Sequence, residues 1–295
     1  MKTLELNSNL KDDLTYCNEI AEVISNKEIA ANTYSAVLKS PKIANLAGVG
    51  QFVNVLPDSN WEKAMRRPMS LAGAEEDNIE LIYKVFGEGT QLMSHWETGD
   101  QIDIIGPLGN GWDIRPLIQN SASQRKFPLL IGGGVGIAPI MYLSQNLMHQ
   151  DFDSQSCPCI MGARTADEHF LKHDPENGII LATDDGSLGI KGNVIDALKY
   201  AFTIQDLGLE FSSVQIFCCG PPMMMESVKQ YAESNKIDCQ VALETIMACG
   251  FGICQGCTVQ YNEDNKQEHS YRDKFGLVCL DGPVFNVKEI KTCKL

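Results

Sequence analysis

Hydrophobic positions in the first third of the chain come in short runs divided by turn residues. Residues 22–25, 33–38, 51–56, 78–86 and 101–105 read as strands, punctuated by Asn26, Pro41, Gly48, Pro57, Gly73 and Gly99. Short strands at that spacing predict an antiparallel β-barrel. After Phe127 the pattern changes. An apolar strand at 128–131 runs into a glycine loop and a helix over 138–148. Apolar strands follow at 157–161, 179–182 and 214–219, with helical patterns at 165–173 and 193–202 and a helical run opening at Met223. Strands alternating with helices predict an α/β doubly wound parallel sheet. Polar residues 113–126 form the connector, and the stretch from Ala242 onward gathers four cysteines among glycines. The expected division is a β-barrel domain at 15–114, an α/β domain at 124–241 and a small cysteine-bearing domain at 242–295.

Composition narrows the chemistry. The 24 Lys and Arg against 38 Asp and Glu give a net charge of −14, which argues against a nucleic-acid partner. The longest uncharged apolar stretch, 127–143, is broken by glycines and Pro139 and is short for a membrane span. Glu5, Asp12 and Asp13 leave no apolar core for a signal peptide near the start. A reducing, cytoplasmic setting without membrane attachment is the expectation. Eleven cysteines are too few for a disulfide scaffold of 295 residues and too many to pass over.

Four of those cysteines share a segment. Cys249, Cys254 and Cys257 form C-x4-C-x2-C, and Cys279 follows after 21 residues. This is the plant-type [2Fe–2S] spacing, in which glycines let the backbone approach the sulfurs and donate N–H groups to them. A structural zinc is the competing reading, although zinc sites usually pair two close doublets. Unrelated buried cysteines are a third. The remaining seven, including Cys218 and Cys219, read as buried or unpartnered.

Nucleotide chemistry is suggested by loops. Gly132, Gly133, Gly134, Val135 and Gly136 follow a strand and open a helix, where N–H groups can face a pyrophosphate. The G-x-G-x-x-G register fails, so a mere tight turn stays open. Asp184 and the Cys219-Gly220-Pro221 segment end two further strands, and ligands of open α/β sheets lie at such ends. Arg164 also follows a strand, within reach of a ribose 2′-phosphate or simply solvated. In the barrel, Arg66 and Arg67 precede Pro68, Met69 and Ser70. An arginine can hold a diphosphate and a serine hydroxyl a ring nitrogen. Gly89 and Thr90 offer further phosphate donors, so a flavin nucleotide fits this region. His169 and His173, four apart, read as exposed helix residues rather than metal ligands.

Taken together, Arg67-Pro68-Met69-Ser70, Gly106-Pro107-Leu108-Gly109-Asn110-Gly111, the loop from Gly132 to Pro139, and Cys219-Gly220-Pro221 resemble the ferredoxin-reductase-like flavoproteins. The tail, Met247-Ala248-Cys249-Gly250 through Cys257 with Val278-Cys279 and Asp281-Gly282-Pro283-Val284-Phe285, is similar to that of electron-transfer subunits of NAD-dependent dihydroorotate dehydrogenases. The resemblance runs in order over nearly the whole chain after Leu14. It implies FAD in the barrel, touched by Arg67, Pro68, Met69, Ser70, Ile82, Tyr83, Lys84, Gly89 and Thr90, with Arg67 on the diphosphate and Ser70 orienting the flavin N5. It implies NAD(H) on the sheet and a [2Fe–2S] cluster on Cys249, Cys254, Cys257 and Cys279. Lys84 stands where an arginine is commoner, and Met69 replaces a branched aliphatic. The implied activity is an electron relay between NAD(H) and a partner, the FMN-bearing catalytic subunit of dihydroorotate dehydrogenase, in a hetero-oligomer serving pyrimidine biosynthesis. A reductase subunit serving a hydrogenase or ferredoxin, and a zinc-stabilised non-redox module, are the alternatives.

Overall fold

The computed structural model describes residues 16–58, 65–118, 126–150, 152, 157–203, 210–262 and 271–295. The N-terminal extension, the domain starts at 15 and 124, and most of the connector's second half lie outside the described residues.

Six antiparallel strands close the barrel: β1 (Cys17–Ala30), β2 (Thr33–Lys39), β3 (Phe52–Val55), β4 (Arg67–Glu75), β5 (Asn78–Lys84) and β6 (Gln101–Leu108), arranged β1-β2-β5-β4-β3-β6. Alternation builds the core, as Val23, Leu38, Val53, Leu71, Leu81 and Ile104 point inward and are fully buried. Short helices α1 (Pro41–Leu46) and α2 (Glu88–Met93) cap the turns. Two strands differ from expectation. β1 is far longer than residues 22–25. β4 occupies a stretch read as motif and turn: Gly73 does not end a strand but sits at a register shift against β5, where a glycine relieves a bulge.

The second unit is the expected parallel sheet. It contains β7 (Phe127–Gly133), β8 (Cys159–Ala163), β9 (Ile179–Thr183), β10 (Ile190–Lys191), β11 (Val214–Cys219) and β12 (Asp238–Ala242). Helices α3 (Ile137–Met148), α4 (Val194–Ala201) and α5 (Pro222–Asn235) connect them. Asn193 caps α4 by accepting from Ile195 N–H. No helix forms over 165–173. A 3-10 turn at Ala166–Glu168 stands there instead, because the two histidines are bonded to β9: His169 Nε2 lies 3.1 Å from Ala182 O, and His173 Nδ1 accepts from Leu181 N–H. They are half-buried structural residues, not exposed helix positions.

The tail supplies β13 (Thr258–Gln260), α6 (Tyr271–Lys274), β14 (Phe275–Leu277) and β15 (Val284–Asn286). β13 and β14 form a two-stranded sheet that carries the cysteine segment. β15 pairs antiparallel with β12, so the large sheet runs β10-β9-β8-β7-β11-β12-β15. Among the described residues no helix is long and apolar enough to cross a membrane.

Candidate functional site

Barrel topology places two predicted segments side by side. Arg67 to Ser70 open β4, Ile82 to Lys84 close β5, and the two strands are neighbours. They flank a cavity of about 240 Å³ lined by Pro68, Met69, Ser70, Ile82, Tyr83, Lys84, Thr90 and Val135, together with Glu244 and Thr245. Val135 comes from the glycine loop of the sheet, so the cavity opens between barrel and sheet. Arg66 and Arg67 part company here. Arg66 is bound to Asp103 at 2.9 Å and donates to Asn54 O, whereas Arg67, among the described residues, donates to the neighbouring carbonyls of Met65 and Arg66 and lies over Gly89. A Cβ on Gly89 would stand 2.5 Å from Arg67 Nε, so the guanidinium lies in the space that a side chain at 89 would take. Thr90 Oγ1 accepts from Phe86 and Gly87 N–H, which orders the loop beside it. Tyr83 is committed to the barrel core: it stacks on Tyr34 and its hydroxyl donates to Asn26, and burial pushes that hydroxyl's pKa up. Lys84 Nζ is held by Glu168 at 2.8 Å, and Glu168 also takes Arg164 at 2.6 Å. Arg164, then Lys84, hold the Glu168 carboxyl down to about 2, despite partial burial.

The sheet loops converge at one edge. β7 and β11 are adjacent, and the chain leaves them in opposite directions, so their carboxyl ends form the topological switch point. A Cβ on Gly136 would lie 2.4 Å from the backbone of Cys219 and Gly220, and one on Gly220 would meet Gly133. Thus Gly132, Gly133, Gly134 and Gly136 pack directly on Cys219, Gly220 and Pro221. Asp184 ends β9 further along the same edge, with its N–H on Ala163 O.

Sequence reading missed Glu244. It follows β12, carries no motif, and lines the cavity. Burial pushes its carboxyl up to about 7. It also raises the buried Cys219 thiol, after burial itself, so it stands close to both the barrel cavity and the switch point.

The four cysteines gather as two pairs. Cys249 Sγ and Cys254 Sγ are 3.4 Å apart, and Cys257 Sγ and Cys279 Sγ are 3.2 Å apart. Tetrahedral thiolate coordination with bonds of about 2.3 Å separates two sulfurs by about 3.7 Å, so each pair is spaced for one metal ion. Backbone N–H groups point at the sulfurs: Cys254 N onto Cys249, Gly252 N onto Cys279, and Cys279 N onto Cys257. Burial opposes ionisation of Cys249, but the N–H groups around it prevail and bring it to about 7. The Cys279 thiol, set against burial and helped by backbone N–H donors, lowers Cys257, while Cys257 in turn raises Cys279, so the first proton leaves the pair easily and the second is held. Donors that stabilise thiolates are what a metal-binding loop requires. Among the described residues, no three His, Cys, Asp or Glu side chains are arranged around a single ion. Two pairs fit a two-iron core, whereas a structural zinc asks for four ligands around one point.

Two family models match parts of this chain. Residues 244–291 match the iron-sulfur cluster binding domain of dihydroorotate dehydrogenase B, and residues 130–230 match the oxidoreductase NAD-binding domain. The dihydroorotate dehydrogenase B (NAD+) electron transfer subunit of Bacillus velezensis is 32% identical over 91% of this chain and 96% of its own. The chain belongs to the family of dihydroorotate dehydrogenase B electron transfer subunits. The Caldanaerobacter subterraneus electron transfer subunit is likewise 32% identical, over 92% of this chain and 97% of its own. Among solved structures, an NADH-dependent reduced ferredoxin-NADP oxidoreductase superposes with a TM-score of 0.75 at 27% identity, covering 94% of this chain and 91% of that one. The ferredoxin NADP+ reductase of Neisseria gonorrhoeae shares the fold, with a TM-score of 0.59 at 18% identity over 75% of this chain and 91% of its own. The cavity and the cysteine segment of this electron transfer subunit meet at the outer face of β3 and β6, where Phe52 lines the cavity and Asn54 and Leu108 face Gly250.

Proposed function

We propose that this chain relays electrons between NAD(H) and the catalytic subunit of dihydroorotate dehydrogenase, with FAD in the barrel cavity, NAD(H) at the switch point and a [2Fe–2S] cluster on the cysteine pairs. NADH yields two electrons as a hydride, the cluster carries them singly, and a flavin placed between does both. The protein's part is placement. Arg67, over Gly89, holds diphosphate charge, and Thr90 orders the neighbouring loop. Ser70 offers a hydroxyl to the ring. Ile82 and Met69 give the cavity an apolar wall, while Glu244 holds a proton near neutrality beside it. The glycine loop and Cys219-Gly220-Pro221 keep side chains out of the nicotinamide's approach, and Asp184 lies along the same edge. Cys249 with Cys254 take one iron, and Cys257 with Cys279 the other.

Ile246, Ile253 and Leu280 are 86, 75 and 50% exposed, and Cys254 is exposed among them. That apolar rim supports docking of the partner subunit on the cluster side. None of the eleven cysteines is in a disulfide, which supports a reducing, cytoplasmic location.

The observation that carries this reading is the pairing of four sulfurs, three of them accepting backbone N–H groups, beside a cavity shared by barrel and sheet. Its test is Cys254→Ser in the holoprotein. Iron and the cluster's visible bands should be lost, while bleaching of the flavin by NADH under anaerobic conditions persists. Loss of both, or retention of iron, would count against this division of labour.

A further inference from the structure

Asn54 joins the two ends of the redox site. On β3, Val53 and Val55 point into the barrel core, whereas Phe52 faces outward, opposite Leu108 of β6, and lines the cavity. Asn54 alternates onto that same outward face. In the barrel ladder Phe52 stands opposite Ser70 and Asn54 opposite Pro68, on the strand that lines the cavity. Toward the tail, Asn54 Nδ2 donates to Cys249 O at 3.0 Å. Gly250 follows with φ +82°, and a Cβ there would lie 2.7 Å from that same nitrogen, so the cysteine loop is pressed onto the amide. Arg66 donates to Asn54 O and holds its backbone from the other side.

The amide is costly where it stands. Asn54 is 0% exposed, and its Oδ1 has no hydrogen-bond partner among the described residues. A buried, half-satisfied amide is worse for stability than an apolar side chain of similar shape. Stability therefore does not account for it, but its bond to Cys249 O does: it ties the backbone of a cluster ligand to the strand neighbouring Ser70.

We propose that Asn54 is a positioning residue that sets the spacing between the flavin-lining strand and the cluster loop, and with it the rate at which electrons pass between them. The inference rests on the reading of the cavity as a flavin site and of the cysteines as iron ligands. From the cavity to a ligand backbone the path is one ladder step, from Ser70 and Pro68 to Phe52 and Asn54, and one hydrogen bond to Cys249.

The test is Asn54→Leu in the full-length holoprotein, with Asn54→Gln as the variant that keeps a donor. Stopped-flow absorbance with NADH separates flavin bleaching from cluster bleaching, and iron analysis and electron paramagnetic resonance report the cluster itself. Expected for N54L are full iron, unchanged flavin bleaching, cluster reduction slowed on the order of tenfold, and shifted resonance positions, with N54Q recovering part of the rate. Full iron with unaltered cluster reduction and spectrum in N54L would overturn the proposal. Should N54L lose iron, N54A removes the donor without added bulk and is read in the same way; iron loss in both would overturn it in favour of a plain structural anchor. The unsubstituted holoprotein guards the underlying reading: absence of NADH-bleachable flavin or of iron there would sink that reading, independently of Asn54.

Discussion

Glu244 shows how a single side chain acquires chemistry from its surroundings. Its carboxyl is raised from an ordinary 4.5 to about 7 by burial at the cavity wall. Between those values the folded chain holds a proton that the unfolded chain has released, so this group's contribution to stability falls as pH rises through that window. Glu244→Gln removes the slope. The variant should match the parent near pH 4.5 and exceed it by up to about 3 kcal/mol above pH 7, measured by urea unfolding across pH. An identical pH slope in both would show that the carboxyl is not buried in solution. No sequence pattern marks Glu244, one acid among 38, because its surroundings come from β12, β4 and the glycine loop. The cysteines are different: three of the four paired sulfurs lie within nine residues, so their spacing is itself much of the geometry. Lys84 is an intermediate case. Its position in the cavity wall follows from the barrel strand, but its partner Glu168 belongs to the other unit, and a pairing across 84 positions leaves no local signal.

At the scale of elements, hydrophobic period served well wherever one face is buried. β7, β8, β9 and β11 and helices α3 and α4 came close to their expected ranges, whereas β10, β12 and β15 of the same sheet were not expected. It failed where a residue's role was tertiary. Gly73 looks like a turn and is a bulge inside β4. Residues 165–173 have helical spacing, yet His169 and His173 are drawn onto β9 and the backbone follows them. The glycine loop was visible but its need for glycine was not. Gly136 has no space for a Cβ, because the backbone of Cys219 and Gly220 stands 2.4 Å away. Gly136→Ala must push the two loops apart, at a cost of about 1–3 kcal/mol for an overpacked site. A lower melting temperature and weaker NADH binding by titration are expected, with the cluster's spectrum untouched. Normal NADH affinity in this variant would mean that the two loops do not jointly form the nucleotide site.

At the scale of the molecule, the cysteine segment is fastened to both other units. β15 completes the edge of the sheet, Phe285, Val287, Ile290 and Cys293 are buried in the sheet's core, and Asn110 of the barrel donates to Leu280 O and Asp281 O. A fragment of residues 242–295 would expose that apolar surface and lose those donors. It should not retain a [2Fe–2S] cluster after anaerobic reconstitution, judged by visible absorbance and iron content; a stable red-brown fragment would show that the segment folds alone. The sequence by itself determined the order of barrel, sheet and cysteine segment, the four sulfurs and the two glycine-bearing loops, because each is encoded in periodicity or spacing over a few residues. Tertiary structure alone decided that Glu244 faces the cavity, that Lys84 is neutralised by Glu168, and that Asn54 bridges barrel and cluster loop across 195 positions. The reason is physical: burial, dielectric surroundings and hydrogen-bond partners are properties of what folding brings together, and no stretch of chain carries them alone.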